Sequence, residues 1–310
     1  MDVPYLDEAA VAEVLRMEEL IPSMRQAMID YSAGRVAQPA RQILNVEAHG
    51  GYFGGMPAVS ANAMGAKLVS FYPGNSSKGL ETHMALISLF NPETGEPLAT
   101  MDGGLITKMR TAAVTATFID AVAAPDVKSL AILGAGAQAE SHIEALSLVR
   151  QFDDVRIWNR TPDRAHALAK KIGARVTSSE EAVRNADVVI ATTASSEAVF
   201  DGDWLAPGAK VASVGWAGAD GGELDADTMS NVVIVDSREG ALVESGNVRG
   251  CDTEIFAELG EILDGSKSVD PDAIVVFESI GMACQDIAAA SLVLRNAVLK
   301  GASILPATPE

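Results

Sequence analysis

Residues 129–139 read SLAILGAGAQA, and this stretch decides the fold. It begins with the apolar run 130–133, which is typical of a buried strand, and it breaks at a turn that contains Gly134 and Gly136. A segment with apolar residues at helical spacing follows the turn. A strand, a glycine turn and the start of a helix together predict a βα unit that binds the pyrophosphate of a dinucleotide.

The turn has the small residues that a pyrophosphate site needs. Gly134 permits the turn, Gly136 lacks a Cβ and lets a phosphate approach the backbone, and Ala139 is small enough for close packing of helix on strand. The first helical residues present unpaired N–H groups and a partial positive charge to the phosphates.

The next predicted strand, 155–158, ends where the adenosine ribose of a dinucleotide is usually bound. An enzyme that uses NAD commonly has an acidic residue there, whereas this chain has Asn159, Arg160 and Thr161. The planar guanidinium of Arg160 can bind a 2′-phosphate through two hydrogen bonds. The sequence therefore favours NADP(H), with NAD(H) as the alternative. The other interpretation of Arg160 is a solvated charge at the end of a strand.

Composition and charge restrict the class of protein. A chain of 310 residues predicts about two domains with a sizeable core. The net charge of −19 argues against nucleic acid and anionic membranes as partners, so an anionic ligand needs a local cluster of positive charge. Cys251 and Cys284 are too few for a disulfide framework, and no His, Cys and Asp spacing indicates a metal site.

The amino terminus has neither the basic nor the apolar region of a signal peptide. No run of about 18 apolar residues predicts a membrane-spanning helix. The sequence therefore predicts a cytoplasmic protein.

The first hundred residues predict an α+β module. Helices are expected at 7–15 and 17–33, the second of them interrupted or started near Pro22. Segments of alternating polarity separated by turn signals predict strands, which lie at 41–46, 51–56, 66–71, 82–90 and 97–102. A long helix at 105–124 leads into the next module.

The second module alternates regularly between strands and helices, which predicts a parallel sheet in an α/β fold. The predicted strands lie at 129–133, 155–158, 188–193, 210–214, 232–235 and 274–277. Helices are expected at 163–172 and 179–185, and a final amphipathic helix at 284–300 is expected to pack on the first module. We therefore assign 119–290 to a dinucleotide-binding domain, and 1–118 with 291–310 to a second domain.

Several basic residues of the first module are candidates for chemistry. Lys67 lies inside an apolar strand, where it either faces outward or points inward with a lowered pKa that suits proton transfer. Arg110, early in the long helix, is either a solvated residue or part of a clamp for a carboxylate, together with Arg41. His83 alternates with apolar residues and is either a core histidine or a member of the site.

Several motifs spread over nearly the whole chain carry a resemblance to a known family. They are Lys67 with LVSFYPGN, the pair Thr82-His83, and residues 101–113, 133–139, 157–161, 254–261 and 279–283. Together they resemble the ornithine cyclodeaminase/μ-crystallin family. The resemblance implies a homodimer whose strand-rich modules join in a shared barrel, with a Rossmann domain on each subunit. It also implies a nicotinamide cofactor and a small substrate that resembles an amino acid.

The resemblance also implies roles for individual residues. It places Arg41 and Arg110 near the substrate carboxylate and makes Lys67 the catalytic residue beside the reacting carbon. Thr82 also lines the substrate site, and Met56 is a candidate for shaping the pocket. It implies that Gly134, Ala135, Gly136, Ala137 and Gln138 hold the pyrophosphate. The cofactor contacts outside this turn are expected to be His83, Arg110, Thr111, Asn159, Arg160, Thr161, Thr193, Val214 and Ser279.

One position departs from the family pattern. Cyclodeaminases and related alanine dehydrogenases have an aspartate shortly after the strand that corresponds to 210–214. Counted back from Glu223, that position is Ala217 here, and Asp220 lies three residues later, where we expect a structural role. Because cyclisation of ornithine needs this carboxylate, its loss disfavours a cyclodeaminase.

We therefore predict an enzyme that uses NAD(P)H to reduce an imine or ketimine carboxylate to the L-amino acid. Examples of such substrates are Δ1-pyrroline-2-carboxylate and Δ1-piperideine-2-carboxylate. Three alternatives stay open at this point. They are an amino-acid dehydrogenase or reductive aminase that acts on a 2-oxo acid and an amine, an ornithine cyclodeaminase, and a non-catalytic binder of small ligands.

Overall fold

A computed structural model describes residues 3–216 and 220–300, with the exception of the side chain of Ser76. The chain divides into two compact units. The first unit comprises the chain up to Arg110 and from Met282 onward, and the second is Thr111–Gly281. Among the described residues, no helix combines the length and the apolar character that crossing a bilayer requires.

The described part of the chain forms eleven α-helices and fourteen strands. The helices are α1 (Glu8–Val14), α2 (Met17–Ser32), α3 (Gly104–Val122), α4 (Ala137–Ser147), α5 (Pro162–Ile172), α6 (Ser179–Val183), α7 (Ala226–Met229), α8 (Arg238–Glu244), α9 (Gly246–Gly250), α10 (Leu259–Leu263) and α11 (Ala283–Leu299). The strands are β1 (Tyr5–Leu6), β2 (Gln42–Val46), β3 (Gly51–Val59), β4 (Met64–Phe71), β5 (His83–Phe90), β6 (Pro97–Asp102), β7 (Ser129–Leu133), β8 (Asp154–Trp158), β9 (Arg175–Val176), β10 (Val188–Ala191), β11 (Lys210–Ser213), β12 (Val232–Val235), β13 (Ile255–Glu258) and β14 (Val275–Glu278).

The first unit is built on a six-stranded mixed sheet with the order β1-β6-β5-β4-β3-β2. The long strands are antiparallel to their neighbours, and β1 is parallel to β6. Helix α11 packs on β3, β4 and β5, and α2 packs on α11. Side chains alternate between the two faces of a strand. Every second residue is therefore buried under α11, and the residues between them are on the opposite, exposed face.

Both sets are visible where β4 pairs with its neighbours. Lys67 on the covered face lies opposite Met56 of β3 and Ile87 of β5, and all three are buried. On the other face, Leu68 lies opposite Leu86, and both are exposed. The exposed face carries further large apolar side chains, among them Leu44, Phe53 and Met84.

The second unit is built on an eight-stranded sheet with the order β13-β12-β14-β11-β10-β7-β8-β9, in which every pair is parallel. All residues of β7, β10, β11 and β14 are buried, which is typical of a sheet that is covered on both faces. The strand order reverses at β7, because β8 lies on one side of it and β10 on the other. This is a Rossmann-like α/β arrangement, and its switch point lies beside the turn after β7.

The long predicted elements agree with the structure, and the differences concern short ones. Strands β1, β9 and β13 were not predicted, since they have two to four residues and show no periodicity of their own. Helix α2 runs from Met17 through Pro22 without interruption. The sequence predicted domain boundaries after residue 118 and before residue 291. The division into the two units falls after Arg110, inside α3, and before Met282.

Candidate active site

A buried ion cluster lies on the covered face of the mixed sheet. Lys67 is 2% exposed, and its Nζ lies 2.6 Å from Asp286 Oδ2. Arg110 is 5% exposed, and its Nε lies 3.0 Å from Asp286 Oδ1. Of the two interpretations of Lys67 and Arg110, the structure therefore selects the inward one for both residues. Two cations share one carboxylate.

The local structure explains why these side chains meet. Alternation along β4 points Lys67 to the face that α11 covers. Helix α3 begins after Asp102, whose Oδ1 accepts a hydrogen bond of 2.8 Å from Gly104 N, and Arg110 follows in its second turn. Asp286 lies in the first turn of α11, where a negative charge also suits the helix dipole.

Gln285, the neighbour of Asp286, also holds Arg110. Its Oε1 accepts a hydrogen bond of 2.8 Å from Arg110 Nη1, and its Nε2 contacts Met28 Sδ at 3.3 Å. The guanidinium is thus fixed by a carboxylate and an amide, and both are fully buried on α11. Such fixation reduces the conformational entropy that binding a ligand would otherwise cost.

The charges of the cluster shift the pKa values of its members. Burial lowers the pKa of Lys67 from 10.5 to about 8, Asp286 opposes this shift, and the charges of Arg110 and Arg41 add to it. Burial alone would raise the pKa of Asp286, but the charges of Lys67 and Arg110 hold it below its ordinary value. Burial, followed by the charges of Lys67 and Arg110, lowers the pKa of His83 to about 4.

At neutral pH His83 is neutral, and the two cations Lys67 and Arg110 share the single ionised carboxylate of Asp286. The cluster therefore has more positive than negative charge. This local excess contrasts with the net charge of −19 of the whole chain. A buried excess of positive charge favours an anionic ligand that supplies the missing negative charge. A lysine with a pKa of about 8 can also give up a proton near neutral pH.

The other residues predicted for the substrate site belong to the same unit. Arg41 directly precedes β2, is partly buried, and lies close enough to lower the pKa of Lys67. Met56 is 4% exposed and lies opposite Lys67. Thr82 precedes β5, and its carbonyl accepts a hydrogen bond of 2.8 Å from Tyr72 N. His83 begins β5 and is partly buried.

The predicted pyrophosphate turn has the geometry that its glycines suggest. Gly134 has a φ of +117°, and a Cβ at this position would lie 2.4 Å from Thr192 Oγ1, so only glycine fits. Gly136 is the N-cap of the eleven-residue helix α4, and a Cβ there would meet nothing within 4 Å. Ala135 precedes it in the turn, and Ala137 is exposed.

The donors and space around the turn fit a pyrophosphate. The first N–H groups of α4 have no partner from a capping side chain, and Gly136 and Ala137 are exposed. Gln138 Oε1 is buried and accepts no hydrogen bond within residues 3–216 and 220–300. Ala139 is fully buried, as the close packing of α4 on the sheet requires.

The loop after β8 holds the residues predicted for the adenosine ribose. Asn159 Nδ2 donates a hydrogen bond of 2.8 Å to the carbonyl of Thr161, which closes the loop before α5. Arg160 is exposed, and its guanidinium has no ion pair or hydrogen bond to any residue that the structure describes. The arginine is thus available to an anionic ligand.

The remaining predicted cofactor residues follow strands of the parallel sheet, apart from Thr111, which is buried in α3. Thr193 follows β10 and donates from its N and Oγ1 to Glu223 Oε2 at 2.7 and 2.5 Å. Val214 follows β11, and its N donates to the carbonyl of Ala191 at 3.0 Å. Ser279 follows β14, and its Oγ lies 3.2 Å from Asp236 Oδ2.

The predicted residues are thus divided between the two units. The substrate residues, with His83 and Arg110, belong to the first unit, and the other cofactor residues belong to the second. Asp220, which the sequence assigned a structural role, is 98% exposed and lies 3.5 Å from Arg249 Nη1. Ala217, the position of the departure from the family pattern, lies outside the described residues.

Sequence reasoning missed Asp286, Gln285 and Glu223. A signal for Asp286 was present, because it is a lone acidic residue in the apolar run of α11. A buried lysine requires a buried carboxylate, so an inward Lys67 predicts an acidic partner in another apolar segment. Gln285 is a second polar residue in the same apolar run, but an uncharged amide does not require a charged partner. Glu223 lies in a polar, glycine-rich loop, where nothing in the sequence indicates burial.

Sequence comparison gives a family and a close relative. The family model described as "Ornithine cyclodeaminase/mu-crystallin family" matches residues 4–301. The chain is 43% identical over 299 residues to the ketimine reductase mu-crystallin of Mus musculus, and the match covers 93% of this chain and 96% of the relative.

Two solved structures have the same fold over nearly their whole length. The Δ1-pyrroline-2-carboxylate reductase of Thermococcus litoralis, in complex with NADH and L-proline, has a TM-score of 0.91 at 34% identity and covers 96% of this chain and 98% of its own. An archaeal alanine dehydrogenase dimer with bound NAD has a TM-score of 0.92 at 30% identity and covers 97% and 98%. The chain therefore belongs to the ornithine cyclodeaminase/mu-crystallin family.

Proposed function

We propose that this chain is an NAD(P)H-dependent imine reductase. It reduces an imine or ketimine carboxylate, such as Δ1-pyrroline-2-carboxylate or Δ1-piperideine-2-carboxylate, to the L-amino acid. The observation that carries the proposal is the buried cluster in which Lys67 and Arg110 share Asp286. The mouse relative, a ketimine reductase, and the Thermococcus reductase, with NADH and L-proline, support it.

The substrate carboxylate binds to the cations of the first unit. Arg110, held by Asp286 and Gln285, presents its guanidinium in a fixed orientation, and Arg41 adds a second fork. The bound carboxylate supplies the negative charge that the cluster lacks. Met56 and Thr82 border the same site and shape it around the carbon chain of the substrate.

Lys67 handles the proton of the reaction. When bound, the reduced nicotinamide supplies the hydride to the imine carbon. The protonated Nζ of Lys67 donates a hydrogen bond and then its proton at the imine nitrogen, so the C=N bond becomes CH–NH. Asp286 stabilises the charged lysine before this step, and solvent returns the proton afterwards. His83 stays neutral and adds no competing charge.

The dinucleotide binds to the second unit, and the residues of the turn hold its pyrophosphate. The exposed Arg160, with Asn159 and Thr161, accepts the 2′-phosphate, so we favour NADP(H) over NAD(H). The Thermococcus and archaeal structures contain NADH and NAD, which keeps NAD(H) as the alternative. The other proposed contacts are Thr111, Thr193, Val214 and Ser279, with His83 and Arg110 at the border between cofactor and substrate.

We further propose a cytoplasmic homodimer in which the mixed sheets of two subunits form a shared barrel. The exposed apolar face of this sheet supports the proposal, as does the dimer of the archaeal alanine dehydrogenase. The first unit then serves substrate binding and dimerisation, and the second serves the dinucleotide. Within the described residues Cys251 and Cys284 form no disulfide, which is consistent with a reducing compartment.

A second candidate is an amino-acid dehydrogenase or reductive aminase, which the similarity to the archaeal alanine dehydrogenase favours. The same cluster would then hold an acyclic imine formed from a 2-oxo acid and an amine. The two candidates differ in whether the imine must be assembled from two reactants.

Steady-state oxidation of NADPH tests the proposal. Five- and six-membered cyclic imine carboxylates are compared with a fixed 2-oxo acid that is offered with ammonia or methylamine. We expect turnover of a cyclic imine without added amine, and a strict need for the amine would favour the second candidate. Conversion of ornithine to proline without reduction of any imino acid would refute the proposal.

A pair of lysine variants shows whether the cluster carries the turnover. We expect Lys67→Met to lower kcat/KM at least about a hundredfold, because it removes the proton donor. Lys210→Met is the matched control: Lys210 is equally buried, but its Nζ donates to the carbonyls of Pro271 and Ala273 in the second unit. If the wild-type chain binds NADPH and the ligand but shows no turnover, Lys67→Met has no activity to remove, and the chain is a non-catalytic binder.

A further inference from the structure

Glu223 is a second buried carboxylate, and it joins the ends of two neighbouring strands. Its Oε2 accepts hydrogen bonds from Thr193 N and Oγ1 at 2.7 and 2.5 Å. Its Oε1 accepts from Gly215 N at 2.8 Å and from Ser213 Oγ at 3.0 Å. Four donors thus converge on one side chain that is 2% exposed.

The donors lie at the edge of the sheet where open α/β folds bind their ligands. Thr193 follows β10 and Gly215 follows β11, and these strands are parallel neighbours. The glycine turn after β7 is next to them, because Thr192 N donates to the carbonyl of Leu133 at 2.8 Å. A dinucleotide with its pyrophosphate at that turn would extend over the ends of β10 and β11.

Gly215 packs closely against both Thr193 and Glu223. A Cβ on Gly215 would lie 1.8 Å from the carbonyl of Thr193 and 2.5 Å from Glu223 Oε1. Behind Glu223, the side chain of Asn247 accepts from Leu224 N at 3.0 Å and donates to Ser213 Oγ at 3.0 Å. The carboxylate therefore fixes the separation of the two loops.

We propose that Glu223 is a positioning residue for the nicotinamide half of the cofactor. It holds the segments at Thr193 and Gly215 at the separation that the nicotinamide ribose and ring require, and it acts through them without contact to the cofactor. The inference rests on the proposed NAD(P)H dependence. Since hydride transfer depends on the distance and angle between donor and acceptor, a change in this separation affects both binding and turnover.

Glu223→Gln tests the proposal with almost no change in volume. The amide places an NH₂ group where an oxygen now accepts, so it opposes the donors of either Thr193 or of Gly215 and Ser213. We expect the dissociation constant of NADPH to rise about tenfold and kcat to fall about tenfold or more. Adenosine 2′,5′-bisphosphate, which contains only the adenine half, is expected to bind as tightly as to the wild type.

Asp187→Asn is the matched control. The Oδ2 of Asp187 accepts from Lys128 N and Ser129 N, both at 2.8 Å, so this carboxylate also joins two strands, but at the opposite edge of the sheet. We expect a lower melting temperature with unchanged affinity for NADPH. If Glu223→Gln does not fold, Ser213→Ala removes a single donor, and we expect about a threefold loss of NADPH affinity.

Three results would overturn the inference. Wild-type affinity for NADPH and wild-type kcat in Glu223→Gln would show that the separation of the loops does not matter. An equal loss of NADPH and of adenosine 2′,5′-bisphosphate would show a general structural role. A wild-type chain that binds neither NADPH nor NADH would refute the proposed cofactor, and the inference with it, whereas the first two results leave the proposed function intact.

Discussion

Lys67 is a residue whose burial is costly and whose partner does not fully offset that cost. Taking a lysine and an arginine out of water costs several kcal/mol per ion, and one carboxylate compensates only part of that. A hydrophobic residue at position 67 would fill the same space without the penalty. The arrangement is therefore better explained by what the charges do for an anionic substrate than by stability.

We expect the pH dependence of the reaction to report the ionisation of Lys67. Burial lowers its pKa to about 8, and the protonated form, which is the proposed donor to the imine, predominates below that value. The kcat/KM is therefore expected to be constant below pH 8 and to fall about tenfold per pH unit above it. Steady-state rates in neutral and alkaline buffers measure the pH at which kcat/KM begins to fall, which is the alkaline limb of the pH profile.

The structure also predicts in which direction Asp286→Asn shifts the alkaline limb of the pH profile of kcat/KM. The charge of Asp286 raises the pKa of Lys67, so its removal lowers that pKa further and shifts the alkaline limb to lower pH. Because both enzymes are assayed with the same imine, ionisation of the substrate cancels in the comparison. A limb that stays in place, or that moves to higher pH, would contradict the assignment of Lys67 as the proton donor.

The elements that the sequence predicted best are those whose local pattern and long-range packing agree. Strand β7 has its predicted bounds, because a fully apolar strand followed by a glycine turn has few other structures available. The pair of Lys67 with Asp286 was not predictable in the same way, since it joins positions 219 residues apart, on a strand and on the last helix. Similarly, Glu223 meets Thr193 and Gly215 only through tertiary contacts of the sheet.

A substitution at Gly136 tests the turn, because it is expected to affect cofactor binding without affecting folding. Its φ of −93° suits any residue, and a Cβ would meet nothing within 4 Å. Gly136→Val should therefore leave the melting temperature within a few degrees of the wild type, while its side chain would occupy the space proposed for the pyrophosphate. We expect NADPH affinity to fall at least about a hundredfold in a fluorescence titration.

Gly250→Val is the control for this substitution, since Gly250 also has open space around its Cβ and lies at the end of α9. We expect it to bind NADPH as the wild type does. Normal affinity in Gly136→Val would show that the dinucleotide does not lie across the turn after β7.

The loop between β8 and α5 is the proposed determinant of the preference between NADPH and NADH. Arg160→Ala removes the exposed guanidinium without breaking a hydrogen bond or ion pair to any residue within 3–216 and 220–300. We expect the KM for NADPH to rise about ten- to a hundredfold and that for NADH to change less than about twofold, because only NADPH has the 2′-phosphate. Lys170→Ala, an exposed cation at the other end of α5, is the control for a general change in charge. Equal effects on both cofactors would contradict a phosphate contact by Arg160.

For the whole molecule, the mixed sheet links the proposed substrate site to the proposed dimer interface. The alternation that points Lys67 to the covered face also points Leu68 to the exposed one, where it is 47% exposed beside Leu86 at 45%. A stable dimer buries about 800 Å² on each subunit, which a long apolar sheet face can supply. The same strands therefore carry the proposed substrate site on one face and the proposed interface on the other.

Paired substitution of Leu68→Asp and Leu86→Asp tests this arrangement. Two carboxylates side by side at the centre of the exposed face would lose their hydration in a dimer. We therefore expect the variant to be a monomer of 32.3 kDa by light scattering and the wild type to have twice that mass. Leu242→Asp is the control, because Leu242 is 58% exposed on α8 in the other unit and is expected to leave the dimer intact. A double variant that remains dimeric, or a wild type that is monomeric at micromolar concentration, would exclude this face as the interface. Since the sheet also positions Lys67, we expect the monomer to retain NADPH affinity in the second unit and to lose turnover.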